Sequence, residues 1–214
     1  MNNAQEARAL LRAHRYGVLS TLSKKFDGFP FGSITPYLVQ HDGSLLILIS
    51  TLAEHTKNIQ ADGRVSLICH NQRDPHIQAQ GRVTLLGLAE LQADKAQAGE
   101  RYLRFFPEAE QYFQMHDFQF YRITPQAIRY IGGFGRIHWV QMANYAVVDA
   151  AEQAAQEAAQ LAAWNTRLSE LRARLQQQHG VGADGAVQAV GWDSDGLDVL
   201  WQRDVWRLAH SVGA

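Results

Sequence analysis

Hydrophobic and polar positions along the 214-residue chain fall into two textures. Up to about Val140 the apolar residues come in short runs or alternate with polar ones, the mark of strands separated by a few helices. From Asp149 to His179 the chain is rich in Ala and Gln instead. Leu161, Trp164, Leu168, Leu171 and Leu175 recur there at three and four residues, which predicts one helix of roughly 30 residues with a single apolar stripe. Asp149 is its expected N-cap and Gly180 its left-handed C-cap. Strands over 187–192, 197–201 and 205–210 follow, and as the next elements in sequence they are the expected cover for the stripe, with a second subunit as the alternative. The change of texture near 142–148 divides the chain into domains of residues 1–142 and 149–214.

Within the first domain the pattern predicts a helix over 4–14, with Ala7, Leu10, Leu11 and His14 on one face, and strands over 17–22, 31–39 and 45–49. The turns between these strands carry Asp27-Gly28 and Asp42-Gly43, strong hairpin signals, so the three strands read as an antiparallel meander. Residues 47–68 then run from a strand into a helix and straight back into a strand. Thr51 and Glu54 have the spacing of a capping box, which predicts a helix N-terminus just beyond Leu52. Free amides there, with the Ser50 and Thr51 hydroxyls and Lys57 one turn along, would suit a phosphate or carboxylate; an ordinary capped helix is the alternative. Strands over 64–71 and 77–90, a helix over 93–105 and strands over 118–123 and 127–140 complete the domain. Many short antiparallel strands with few helices predict a small closed barrel.

Charge adds an exclusion. Twenty Lys and Arg against 21 Asp and Glu leave a formal charge of -1, so no bulk electrostatic case exists for nucleic acid or an anionic membrane, and any basic site is local. Cys69 is the only cysteine, which rules out an intramolecular disulfide. The first residues are charged where a secretory leader needs an apolar run, and no apolar run approaches the roughly 20 residues of a membrane span. A cytoplasmic protein is expected. Neither G-x-S-x-G, G-x-x-x-x-G-K nor H-E-x-x-H occurs, and Gly133-Phe134-Gly135 lacks the helix a dinucleotide fingerprint requires, which argues against a hydrolase or NTPase. His70 and His76 flank a turn at a spacing that matches no common zinc pattern. His55 sits beside the expected anion turn, His116 precedes Asp117, and His138 alternates with Trp139 in the last strand.

An ordered set of segments carries a family resemblance: Gly17-Val18-Leu19-Ser20-Thr21, Phe29-Pro30-Phe31-Gly32-Ser33 before Pro36-Tyr37, Ile49-Ser50-Thr51-Leu52-Ala53 with His55-Thr56-Lys57-Asn58-Ile59, Arg64-Val65-Ser66-Leu67, Gly81-Arg82-Val83-Thr84, and Gly132-Gly133-Phe134-Gly135-Arg136. Across residues 4–140 the chain resembles the pyridoxamine-phosphate-oxidase-like split-barrel superfamily, and within it the haem-utilisation branch. The resemblance implies a fold of mainly β with helices: a six-stranded antiparallel split barrel followed by a small α+β domain. It also implies a homodimer that binds FMN or haem at the subunit interface. In flavin-binding relatives the phosphate is held from the strand that contains Ser33 and Thr35 and from the segment that contains Ser50, Thr51 and Lys57. This chain has Ser33 where the oxidases have arginine, and a serine does not replace a bidentate guanidinium.

Haem asks for an axial nitrogen, a group to orient it, cations for the propionates and an apolar slot. By the same resemblance Asp117 is the supporting aspartate, His210 the candidate iron ligand, and Arg136, after the glycine-rich turn, a candidate for propionate or flavin phosphate. The leading expectation is a haem-handling protein that degrades haem oxidatively. An FMN-dependent oxidoreductase comes second and a cofactor-free dimeric scaffold third.

Overall fold

The computed structural model describes residues 2–73, 75–76, 78–133, 135–182 and 184–209. The chain forms two compact units, residues 1–147 and 148–214. In the first, α1 (Asn3–Arg12) begins with a capping box: the Asn2 carboxamide oxygen accepts from the Ala4 and Gln5 amides, and the Gln5 side chain accepts from the Asn2 amide. The helix buries Ala4, Ala7 and Leu11 in the barrel core. β1 (Tyr16–Leu22) and β2 (Pro30–Pro36) form the first hairpin, closed by a turn in which Asp27 and Gly28 take positive φ. The expected strand over 31–39 is interrupted at Tyr37, whose amide donates to Arg15, and resumes as β3 (Leu38–Val39).

That interruption closes the barrel. The large sheet also contains β4 (Leu45–Ser50), β5 (Arg64–His70), β6 (Gly81–Leu91) and β7 (Phe118–Gly132), in the order β2-β1-β5-β6-β7-β4-β3. β2 and β3 sit at opposite ends of that order yet are separated by Tyr37 alone, so one bent strand joins both edges. With β2 and β3 counted together the ring has six strands, as the resemblance implied, and β8 (Ile137–Val140) adds a hairpin on β7. Inward positions of these strands, among them Leu19, Ile47, Leu67, Leu85, Ile123 and Ile128, are fully buried.

Several boundaries differ from the pattern. The strand expected from 77 begins at Gly81, and Ile77 lies outside the described residues. The strands expected over 118–123 and 127–140 are one 15-residue strand to Gly132, then a turn, then β8. Pro125 does not end β7 because the ladder shifts register between Leu86 and Gly87, opposite it, where its missing N–H costs nothing. Gly87 is required there, since a Cβ would lie 2.7 Å from the Thr124 carbonyl oxygen. The turn before β8 is the glycine-rich one, with Gly133 at φ 109°. α3 (Lys95–Phe105) and the short α4 (Glu110–Phe113) lead into β7, and α5 (Met142–Tyr145) closes the unit.

The second unit replaces the expected single helix with two, α6 (Ala150–Asn165) and α7 (Leu168–His179). Asn165 causes the break: its side chain accepts from the Ala189 amide at 2.8 Å and donates to the Ala189 carbonyl at 3.1 Å, tying the helix end to a strand. Asp149 occupies the N-cap position of α6 without a capping bond, and Gly180 takes the expected left-handed conformation. β9 (Val187–Asp193), β10 (Gly196–Trp201) and β11 (Asp204–Ala209) form an antiparallel sheet in the order β11-β10-β9. Leu161, Leu171 and Leu175 pack on Ala189, Leu197, Val199 and Leu208, so the stripe is covered within the chain. Leu168, expected in the stripe, is exposed, because the break at Asn165 rotates α7 out of phase with α6.

Candidate functional site

The turn after β4 is held from β7. Opposite the end of the β4–β7 ladder the Thr51 amide donates to the Asp117 carbonyl at 2.7 Å, so the backbone of Thr51 continues the sheet instead of starting a helix. Ser50 Oγ donates to Asp117 Oδ2 at 2.6 Å and accepts from the Leu52 amide at 3.1 Å. The Ser50 carbonyl accepts from the Ala53 amide and from Thr56 Oγ. α2 (Glu54–Ala61) therefore starts two residues later than expected, with Ala53 as N-cap and no side-chain capping bond. The capping box between Thr51 and Glu54 is not formed, because Thr51 is already committed to the sheet.

Ser33 and Thr35 lie on the inward side of β2. His55, in the first turn of α2, places Nδ1 3.2 Å from Ser33 Oγ, and its Nε2 is buried with no partner. Burial lowers the His55 pKa, because desolvation disfavours the charged ring. Thr35 is buried and its hydroxyl also lacks a partner. Lys57 is exposed and lines a cleft with Lys24 and Lys25 that neither Ser33 nor Ser50 lines. Arg136 donates to both carboxylate oxygens of Glu6, at 2.9 and 2.8 Å, and the Tyr130 hydroxyl joins the same carboxylate at 2.6 Å. The Tyr130 hydroxyl first, with Arg136 beside it, holds the Glu6 pKa below the usual range, while burial and Glu6 push Tyr130 up to about 12. Arg136 thus latches the β7–β8 hairpin to α1.

The expected site residues are accordingly dispersed. Ser50, Thr51 and Asp117 form one node, Ser33 pairs with His55, Lys57 and Arg136 lie elsewhere, and His210 is outside the described residues. The geometry assembles no phosphate cradle from Ser33, Thr35, Ser50, Thr51 and Lys57.

A different feature has the shape of a ligand site. Part of the outward side of β2, β1, β5 and β6 is apolar, interrupted by Ser20, Arg64, Ser66 and Thr84. Ile34 pairs with Val18 and Val18 with Ile68 in register across the strands, with Leu86 and Leu88 alongside, and these five side chains are 38% to 74% exposed. A cleft of about 630 Å³ opens on this face, its wall mostly apolar through Leu22, Pro30, Val65, Leu86 and Leu88, with Arg64, Ser20, Ser66 and Gln126 also lining it. Arg64 is paired with Asp62 at 2.5 Å and remains largely exposed. Sequence reading missed the cleft because it has no motif. Its signal is in the adjacent apolar pairs Val18-Leu19, Leu67-Ile68 and Leu85-Leu86, which mark strands apolar on both faces. Among the described residues no three His, Cys, Asp or Glu converge as a metal site, and no helix is long and apolar enough to cross a membrane.

Barrel, bent closing strand and capping helices together define a split β-barrel fold. The chain belongs to the CREG β-barrel family, whose model matches residues 1–147. It is 38% identical over 135 residues to the chloroplastic heme oxygenase HOZ of Arabidopsis thaliana, an alignment that covers 62% of this chain and 41% of that protein. The chain therefore spans under half the length of that relative. Among solved structures it matches a heme binding protein from Mycobacterium smegmatis at TM-score 0.63 and 26% identity, over 100% of this chain and 90% of the other. It also matches the protein Atu2129 of Agrobacterium tumefaciens at TM-score 0.78 and 23% identity, over 96% and 86%.

Proposed function

We propose that the chain binds haem on the outer face of its barrel, in a homodimer whose second copy covers that face, and that it takes part in oxidative haem degradation. The cleft on the outer sheet face carries the reading. A porphyrin is a flat apolar ring with two carboxylates, and it needs an apolar slot with a cation at the edge. Leu22, Pro30, Val65, Leu86 and Leu88 offer the slot, and Arg64, which a propionate would have to share with Asp62, the cation. The relatives support the same ligand: one is named a heme oxygenase and another a heme binding protein. Bound haem would supply an iron centre able to activate O₂, while the chain's residues bind the ring, orient it and keep water off its faces. Asp117, held by Ser50 and not among the residues lining that cleft, would be the supporting carboxylate, and His210 would be the iron ligand, as the resemblance implies. Residues 1–142 form the cofactor-binding barrel and residues 149–214 a separate small α+β domain.

The flavin alternative has less support. The residues expected to hold its phosphate are spread over several places, and Ser33 pairs with His55.

Haem titration is expected to give a saturable Soret band with one haem per chain, and light scattering a dimer. Leu86→Glu buries a carboxylate against apolar surface if the face is covered, so it should weaken haem binding by about tenfold or more and shift the protein toward monomer. A wild-type protein that is monomeric, or that leaves the spectrum of added haem unchanged, overturns the proposal.

A further inference from the structure

The chain contains only four lysines, Lys24, Lys25, Lys57 and Lys95; its other 16 basic residues are arginines. Three of the four, Lys24, Lys25 and Lys57, line one open cleft of about 390 Å³ between the β1–β2 turn and the exposed side of α2, with Glu54 and Gln60. In a chain of formal charge -1 this is a concentrated positive field, and Glu54 is the only carboxylate among the lining residues. The three ammonium groups enter no ion pair among the described residues, whereas the nearby Arg64 is tied to Asp62.

The cleft is also held in shape. Asn58, fully buried on α2, donates to Thr21 Oγ1 at 3.0 Å and accepts from the Lys24 amide at 2.9 Å, so it fixes the lysine-bearing turn to the helix from both ends of its carboxamide. Ser23 closes the turn: its carbonyl accepts from the Gly28 amide and its hydroxyl from the Phe26 amide. Lys25 Nζ lies 5.3 Å from the Phe26 ring centroid, which limits where that ammonium can go. The two walls thus meet at a fixed separation, and a ligand finds the charges already gathered.

We propose that this lysine cleft binds the phosphate or pyrophosphate group of a small molecule, at a site separate from the haem face. Lysine is a compact, strongly hydrated charge on a flexible stem, suited to meeting a phosphate dianion from several directions, whereas arginine favours planar bidentate pairing. The volume falls in the range of small-molecule pockets. None of Ser33, Ser50 or Thr51 lines the cleft, and it shares no lining residue with the apolar cleft on the sheet face.

Calorimetric titration of the full chain with inorganic pyrophosphate at low ionic strength is expected to give saturable binding that weakens steeply with added salt. Lys24→Gln with Lys25→Gln, and separately Lys57→Gln, should each lower the affinity by roughly tenfold or more, while Lys95→Gln leaves it unchanged. The exposed positions of these lysines allow the variants to fold, which circular dichroism checks. Haem titration of the Lys24→Gln, Lys25→Gln variant should match wild type, which separates this site from the haem reading. Non-saturable binding, variants that bind pyrophosphate like wild type, or citrate binding as tightly as pyrophosphate would overturn the assignment.

Discussion

Replacing Arg207 with methionine is expected to destabilise the C-terminal unit by about 3–5 kcal/mol. Arg207 on β11 donates to Asp193 Oδ1 at 2.5 Å and to Asp198 Oδ2 at 2.9 Å, and the three side chains are 7%, 0% and 3% exposed. The strand register sets this up: Asp198 on β10 is directly opposite Arg207, and Asp193 ends β9 opposite Gly196. Removing the guanidinium leaves two carboxylates out of water without their cation, a far larger cost than losing an exposed pair. Urea unfolding followed by tryptophan fluorescence reads this unit selectively, since four of the five tryptophans, Trp164, Trp192, Trp201 and Trp206, lie in it. Adding Asp193→Asn and Asp198→Asn to Arg207→Met should recover part of the loss, because the stranded charges are then gone. A single variant as stable as wild type would mean that the carboxylates are neutral without Arg207.

The barrel unit is expected to lose about 3 kcal/mol on acidification from pH 6.5 to 4, through His14 alone. His14, just beyond α1, is 7% exposed. Burial first, then the charges of Arg73 and His70, lower its pKa from 6.5 to about 4. The unfolded chain therefore takes up the His14 proton near pH 6.5 while the folded chain resists it until about pH 4. Stability from this group is complete above 6.5, falls through that window and is fully lost below it. Chemical denaturation of wild type and His14→Gln at a series of pH values checks the effect. The difference between the two should shrink or change sign toward acid, and parallel profiles would show that His14 titrates normally.

Much of the architecture was legible from alternation and turn chemistry. The Asp-Gly turns at 27–28 and 42–43, the helix over 93–105 and the left-handed Gly180 follow from local patterns, because a strand's period of two and a glycine's freedom at positive φ act within a few residues, whereas the six-strand ring was implied by the family resemblance. The misplaced boundaries share a cause: a distant partner captured a local group. Thr51 has the right spacing for a capping box, but its amide belongs to Asp117, 66 residues on. The 149–179 pattern suits one helix, but Asn165 bonds to Ala189 and divides it. Pro125 looks like a strand end until Gly87 offers a bulge opposite.

The candidate site shows the same division. Residue types named in advance are present, yet Arg136 is held by Glu6, and Lys57 faces Lys24 and Lys25; neither contact leaves a trace in the spacing of the sequence. The outer apolar face was visible only as strands apolar on both sides, and its cleft required the register that brings Leu22, Val65 and Leu86 together.

By itself, then, the sequence determined the strand and helix inventory, the two textures of the chain and the family resemblance, since these depend on residues near one another. Only the tertiary structure decided which polar groups remain available for a ligand, because hydrogen bonds and ion pairs between residues far apart in the chain consume them first.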